Sequence, residues 1–129
     1  MSFKKVASSE LEIELQRVAS THGFCPNVIS SNGLEFEMEM IDSPCLADKY
    51  GENVPEWIWK EISRILAVLY ECEGIEYIDI TPYNFIEKDK KIWIIDFGHA
   101  YYTKSPETPE NWFLHEILDG YIGWNPDFK

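Results

Sequence analysis

Apolar positions along this chain change their period several times, and each change marks an element. Between Ser8 and Ala19, Leu11, Leu15, Val18 and Ala19 recur at helical spacing. Ser8 or Ser9 stands where it can cap that helix, and acids fill its first turn. The segment Thr21–Asn27 holds His22, Gly23 and Pro26 and reads as a loop. A short strand over Asn27–Ser30 and an Asn32-Gly33 hairpin turn follow. Leu34–Ile41 then alternates, which predicts a half-buried strand with Leu34, Phe36, Met38 and Met40 on its inner face. Asp42–Pro55 is loop-like, with one helical turn at Leu46–Lys49. Glu56–Cys72 is the longest predicted helix, with Ile58, Ile62, Ile65, Leu66 and Leu69 as its buried stripe and Gly74 as its stop.

A second hairpin is predicted from a charged turn, Lys88–Lys91, between Asn84–Glu87 and the β-rich run Ile92–Ile95. Its two ends lie side by side, so Asn84 comes close to Asp96. Asp79 sits just upstream in a loop bent by Pro82, and Gly98 lets the chain turn sharply after Asp96. Two carboxylates and an amide thus converge at one edge of a small sheet. Such hard oxygen donors suit Mg²⁺, which takes one or two carboxylates together with substrate phosphates. Taken singly, each of these residues would serve a turn or a cap. Their joint spacing inside one hairpin is what points to chemistry. Near the end, Thr108 as cap, Pro109 in the first turn and Glu110 open a final helix running to about Asp119.

Composition narrows the partners. The 129 residues suit a single domain, 1–129, with 45% hydrophobic content and thus a real core. The formal charge of −12 argues against nucleic acid and anionic membrane surfaces. Cys25, Cys45 and Cys72 are widely spaced and form no C-x-x-C pair, which reads as reduced thiols in the cytoplasm. No apolar run approaches a membrane span or a signal peptide. His22, His99 and His115 show no ligand spacing, so a histidine metal site is not expected.

The stretch Tyr77–Gly98 resembles the protein kinase pattern, a catalytic loop H-R-D-L-x-x-x-N followed by a hairpin and D-F-G. Tyr77-Ile78-Asp79-Ile80-Thr81-Pro82-Tyr83-Asn84 lies over the loop, and Asp96-Phe97-Gly98 is a complete D-F-G. The resemblance implies an α+β, minimal protein kinase-like fold: a small antiparallel sheet with one helix, a long helix, and the catalytic-loop hairpin. It implies ATP and Mg²⁺ as cofactors, Asp79 as the catalytic base, and Asn84 and Asp96 as the metal ligands. Phe97 and Gly98 complete the motif. The segment M-S-F-K-K-V is similar to the strand whose Lys contacts ATP phosphates, which makes Lys4 the candidate and Lys5 the register alternative. Glu12 or Glu14 of the following helix would pair with that Lys. Glu39, Met40 and Ile41 would form the hinge that holds adenine.

The chain departs from the family in four ways. No Gly-rich loop precedes Lys4. Tyr77 and Ile78 replace the His-Arg before the catalytic Asp. Thr81 replaces the Lys of serine/threonine kinases, and no A-P-E segment follows D-F-G. With most of the C-terminal lobe missing, an ordinary peptide substrate is not expected. The expectation is a minimal phosphotransferase acting on an unidentified acceptor. The alternative is a weak or inactive kinase-like module, a pseudokinase, that binds and regulates a protein partner. The shortened ends expose surface that a second copy, in a homodimer, or such a partner would cover.

Overall fold

The structure is a computed structural model and describes residues 2–105 and 107–126. Met1 of the first predicted segment and Pro106 of the polar stretch lie outside the described residues. In chain order the elements are β1 (Ser2–Val6), α1 (Glu10–Ser20), β2 (Val28–Asn32), β3 (Glu35–Glu39), α2 (Leu46–Tyr50), α3 (Glu56–Glu73), β4 (Ile75–Glu76), β5 (Phe85–Lys88), β6 (Lys91–Ile94), β7 (Tyr101–Tyr102) and α4 (Trp112–Leu118). Among the described residues no helix is long and apolar enough to cross a membrane.

The first three strands make an antiparallel sheet in the order β1-β3-β2. α1 covers one face, where Ile13 meets Ala7, Phe36 and Met38. Ser9 is the residue that caps α1: its hydroxyl accepts the Glu12 N–H at 3.4 Å. The inner face of β3 is narrower than the alternation predicts. Phe36 and Met38 are buried, but Leu34 and Met40 are 41% and 40% exposed. Leu34 belongs to the turn after Gly33 (φ 65°), and Met40 lies past the end of the sheet, so neither reaches α1.

α3 is the spine of the larger core. Ile58, Ile62, Ile65, Leu66 and Leu69 are all at most 1% exposed. Three of them are β-branched, which costs a few tenths of a kcal/mol each in helix propensity. Full burial returns about 1.5–3 kcal/mol per side chain, so packing decides the outcome. The helix ends at Gly74, which is left-handed at φ 67°. Leu15 and Ala19 of α1, Phe85, Ile92 and Ile94 of the second hairpin, and Phe113, Leu114 and Ile117 of α4 close around this spine.

The second hairpin pairs Phe85 with Ile94 and Lys88 with Lys91. Asp89 and Lys90 both have positive φ, 55° and 61°, the mirror-image turn that matches strand twist. Asn84 and Ile95 fall outside the strands but remain joined, because the Ile95 N–H donates to the Asn84 carbonyl at 3.0 Å.

The β4–β7 pair is too short to leave a periodic signal. It matters because it buries Glu76 completely. The carboxylate accepts the N–H groups of Glu110 and Asn111 at 2.8 and 3.0 Å, and the Tyr101 hydroxyl at 3.0 Å. This moves the start of the last helix. Glu110 and Asn111 are drawn to Glu76, so Asn111, not Thr108, caps α4, accepting from Phe113 and Leu114 at 2.9 and 3.0 Å.

Burial raises the Glu76 pKa, but the Glu110 amide, Thr103, the Asn111 amide and Tyr101 outweigh it and hold the group below the ordinary carboxylate value. A depressed folded pKa contributes stability above the unfolded pKa and loses it as pH falls through the folded one. We expect Glu76→Gln to lower stability by about 1–3 kcal/mol at pH 7. Urea titrations between pH 7 and pH 3 should show the gap to wild type shrinking once pH drops below the ordinary carboxylate value of 4.5. A gap independent of pH would mean that packing, not charge, is at stake.

Candidate active site

β1 and α1 bring the first groups together. Antiparallel partners share a face, and Lys5 is opposite Phe36, which points at α1. Lys5 therefore also points that way, while Lys4, opposite Glu37, points to solvent. The Lys5 ammonium lies 2.8 Å from Glu12 and 3.5 Å from Asp96. Lys5, the register alternative, and not Lys4 is thus the partner of Glu12; strand alternation alone does not decide it, since Lys5 shares a face with Phe3 and Ala7 but Lys4 shares one with Val6. Glu14 is not part of the cluster. It is exposed, two residues round α1 from Glu12, and takes a hydrogen bond from Tyr102.

Glu12 is 3% exposed. Burial raises its pKa, yet Lys5 and then Ser8 win and keep it below the usual value. The Ser8 N–H and hydroxyl both donate to one carboxylate oxygen, at 2.9 and 3.0 Å. The same hydroxyl reaches the Gly98 carbonyl at 3.4 Å. Sequence reading missed Ser8 as anything but a cap.

The exit of β6 presents Asp96, whose carboxylate accepts the Gly98 N–H at 2.7 Å. The reason for glycine at 98 differs from the expected one. Its φ is not in the left-handed region; instead a Cβ there would stand 3.0 Å from the Asp96 carboxylate and 3.4 Å from that of Glu12. The chain does turn at Gly98, but close approach rather than a special backbone angle is what favours glycine there.

The loop before β5 holds the rest. Asn84 is buried, and its side-chain amide donates to the Asp79 carbonyl at 2.8 Å. The Asp79 carboxylate is partly exposed and lies 3.2 Å from Nδ1 of His99. Tyr77, 1% exposed, donates its hydroxyl to the Asp96 carbonyl at 2.7 Å and packs edge-on against Phe97 at 5.5 Å. Burial first, then the charges of Asp79 and Asp96, push its phenol well above the ordinary value, so it stays a donor. Neither Tyr77 nor His99 was anticipated as a contact of the acidic pair.

Glu39, Met40 and Ile41 follow the end of β3 as a strand exit. The Glu39 N–H donates to the Asn27 carbonyl and the Asn27 N–H to the Glu39 carboxylate, both at 3.0 Å, and the Ile41 carbonyl accepts from Ser43 at 2.9 Å. Met40 is exposed between them.

Among the described residues no three His, Cys, Asp or Glu side chains converge as a self-sufficient metal cage. The groups here that could serve as metal donors are one carboxylate, Asp96, and one amide oxygen, Asn84. That fits Mg²⁺ held jointly with phosphates, which takes few protein ligands. Two cavities open, one on the β1-β3-β2 sheet and one beside the loop before β5. One of about 580 Å³ is lined by Lys5 and β-sheet residues, and one of about 750 Å³ by Pro82, Tyr83 and Trp124. Neither is lined by Asp79, Asn84 or Asp96.

Comparison with known proteins bears on the family and the fold. A family model described as the RIO domain matches residues 2–116. A probable serine/threonine-protein kinase BUD32 homolog of Archaeoglobus fulgidus is 29% identical over 57% of this chain and 48% of that protein. The chain thus spans about half the length of this curated relative. The Rio2 kinase of Chaetomium thermophilum, solved as an ADP/Mg²⁺-phosphoaspartate complex, superposes with a TM-score of 0.64 at 17% identity, covering 84% of this chain and 34% of that one. Rv3197 of Mycobacterium tuberculosis, solved with erythromycin, gives a TM-score of 0.57 at 23% identity, covering 71% and 26%. At these identities the two structures speak for the fold alone.

The two lysines give a direct check. Lys5→Met leaves a buried carboxylate without its cation and should cost about 1–3 kcal/mol. Lys4→Met should stay within about 0.5 kcal/mol of wild type. Equal losses in urea denaturation would contradict the assignment of Lys5 to Glu12.

Proposed function

The chain belongs to the RIO domain family, and from that premise we propose that it is an ATP- and Mg²⁺-dependent phosphotransferase. Its fold is the minimal protein kinase-like one. The observation that carries the reading is the Lys5–Glu12–Asp96 cluster, set beside a loop in which Asn84 and Asp79 are already hydrogen-bonded to each other.

Each residue has a task that its surroundings suit. Lys5, held by Glu12, meets the phosphates of ATP. Asp96 and Asn84 hold Mg²⁺, which neutralises charge on those phosphates. Asp79 orients the acceptor hydroxyl and takes its proton. The acceptor oxygen forms a bond to the γ-phosphorus, the bond from that phosphorus to the bridging oxygen breaks, and ADP leaves with the electron pair. Phosphoryl transfer depends chiefly on positioning and charge neutralisation, so a small frame that fixes these groups is sufficient in principle. Glu39, Met40 and Ile41 are the proposed adenine contacts. The ADP/Mg²⁺ complex of the Rio2 neighbour supports a nucleotide here.

A second reading is a nucleotide-binding module that regulates a protein partner without transferring phosphate. β1 favours it. Among the described residues this is an edge strand of its sheet, so its outer side is open to pairing with a partner chain.

Calorimetric titration of ATP separates the readings. Mg²⁺-dependent binding should weaken at least about tenfold in Asp96→Ala, the loss of one charge-assisted ligand. Asp79→Asn should keep that binding while slowing ADP release by roughly 10²–10⁴-fold. Binding without any ADP release in wild type supports the regulatory module. Absence of binding in wild type removes both.

A further inference from the structure

We infer that Trp124 and Asn125 form a clamp that fixes the Asp79 loop, which makes Asn125 a positioning residue. The catalytic part of this inference rests on the phosphotransferase reading; the clamp itself is a matter of geometry.

Residues 77–84 belong to no helix or strand, so their peptide groups lack a ladder. Three successive carbonyls in that stretch are nevertheless held. The Ile78 carbonyl accepts the Asn125 side-chain amide at 2.7 Å, from 47 positions away. The Asp79 carbonyl accepts the Thr81 N–H at 3.0 Å and the Asn84 amide at 2.8 Å. The Ile80 carbonyl accepts the Asn125 N–H at 2.8 Å. One residue thus grips the peptides on both sides of Asp79.

Trp124 anchors the grip. Its indole N–H donates to the Glu52 carbonyl at 2.8 Å, and its ring lies 4.3 Å from that of Trp59 and 6.4 Å from that of Phe85. The clamp is therefore fastened to α3 and β5, the rigid elements under the loop. Packing holds the loop's inward side chains, with Tyr77 and Ile80 in the core and Thr81 buried. The hydrogen bonds of Asn125 add direction to that hold where a cavity of about 750 Å³ opens beside Pro82 and Tyr83. Both residues lie beyond the segment 2–116 that matches the RIO domain model.

The direction of the Asp79 carboxylate follows from the backbone angles at 78–80. Release of the Ile78 and Ile80 carbonyls lets those peptides rotate toward water, and misplacement of a reacting group by about 1 Å can cost on the order of 10²-fold in rate. Lys5, Glu12 and Asp96 sit on other elements and are not gripped by Asn125.

The test uses the full chain with Asn125→Ala, Asn125→Asp and Asn125→Pro. Amide exchange by NMR, melting temperature, MgATP affinity, and kcat and KM for ADP release are measured together. In Asn125→Ala, exchange at Thr81 and Asn84 should rise about tenfold or more as the loop opens. Its kcat should fall about 10–100-fold, with MgATP affinity within about threefold of wild type. Asn125→Asp, of nearly equal size, should do at least as much damage, since a carboxylate oxygen would face the Ile78 carbonyl. Asn125→Pro also removes the N–H and should be worst. Unchanged loop exchange in all three would overturn the clamp. So would kcat and MgATP affinity falling in step with melting temperature, the mark of a general loss of structure. If wild type releases no ADP, the phosphotransferase reading fails separately. Loop exchange then decides: an increase confined to 77–84 supports the clamp, and none refutes it. Should Asn125→Pro not fold, Trp124→Phe, which keeps an aromatic ring but loses the indole donor, should raise the same loop exchange more weakly.

Discussion

A buried carboxylate has to be answered, and Glu12 is the one that organises this molecule. It is 3% exposed in an acidic protein, where an unanswered charge would be protonated or expelled. The answers come from two residues, and the second ties in a third segment. Lys5 arrives from β1, Ser8 from the connection into α1, and Gly98 brings the segment after β6 close enough for Ser8 to touch it. Satisfying one side chain thus fixes the sheet, its helix and the second hairpin relative to each other. The same geometry delivers Asp96 to Lys5, so the site is a consequence of solving a burial problem.

The other half of the site hangs from Tyr77. A phenol between Phe85 and Phe97, at 6.0 and 5.5 Å, is apolar packing with one polar end. That end reaches the Asp96 carbonyl, so the loop carrying Asp79 and the strand exit carrying Asp96 share a common post. A hydrophobic wedge sets the spacing of two acids that would otherwise repel. Asn84 then ties the loop inward through the Asp79 carbonyl, and the turn at Asp89-Lys90 fixes the register that puts Asn84 beside Ile95.

Much of this was readable from the chain. The stripe of α3, the Gly74 stop, the second hairpin and the meeting of Asn84 with the Asp96 strand all rest on local periodicity and turn chemistry, which a sequence displays. What escaped detection depends on partners distant in sequence. Nothing local to Thr108 reveals that Glu76 will capture the amides of Glu110 and Asn111 and so hand the cap to Asn111. Nothing local to Leu34 and Met40 says that the sheet stops short of them. Lys4 and Lys5 look alike until strand alternation is tied to Phe36 across β3. Gly98 looked like a residue chosen for its backbone angles, because the crowding by the Asp96 and Glu12 carboxylates exists only in the folded chain.

The unequal lengths of the two Lys5 contacts settle how the cluster can respond to a ligand. The ion pair with Glu12 is short, and its carboxylate is buried, so breaking it would strand a charge in low dielectric. The contact with Asp96 is longer, at 3.5 Å, and that side chain is 41% exposed. A pair so open to water contributes about 0–1 kcal/mol. The Lys5–Asp96 contact is therefore the easier of the two to exchange, while the Gly98 N–H still holds the Asp96 carboxylate and Lys5 stays fixed on Glu12. The asymmetry fixes the lysine on Glu12 and makes Asp96 the looser of its two partners.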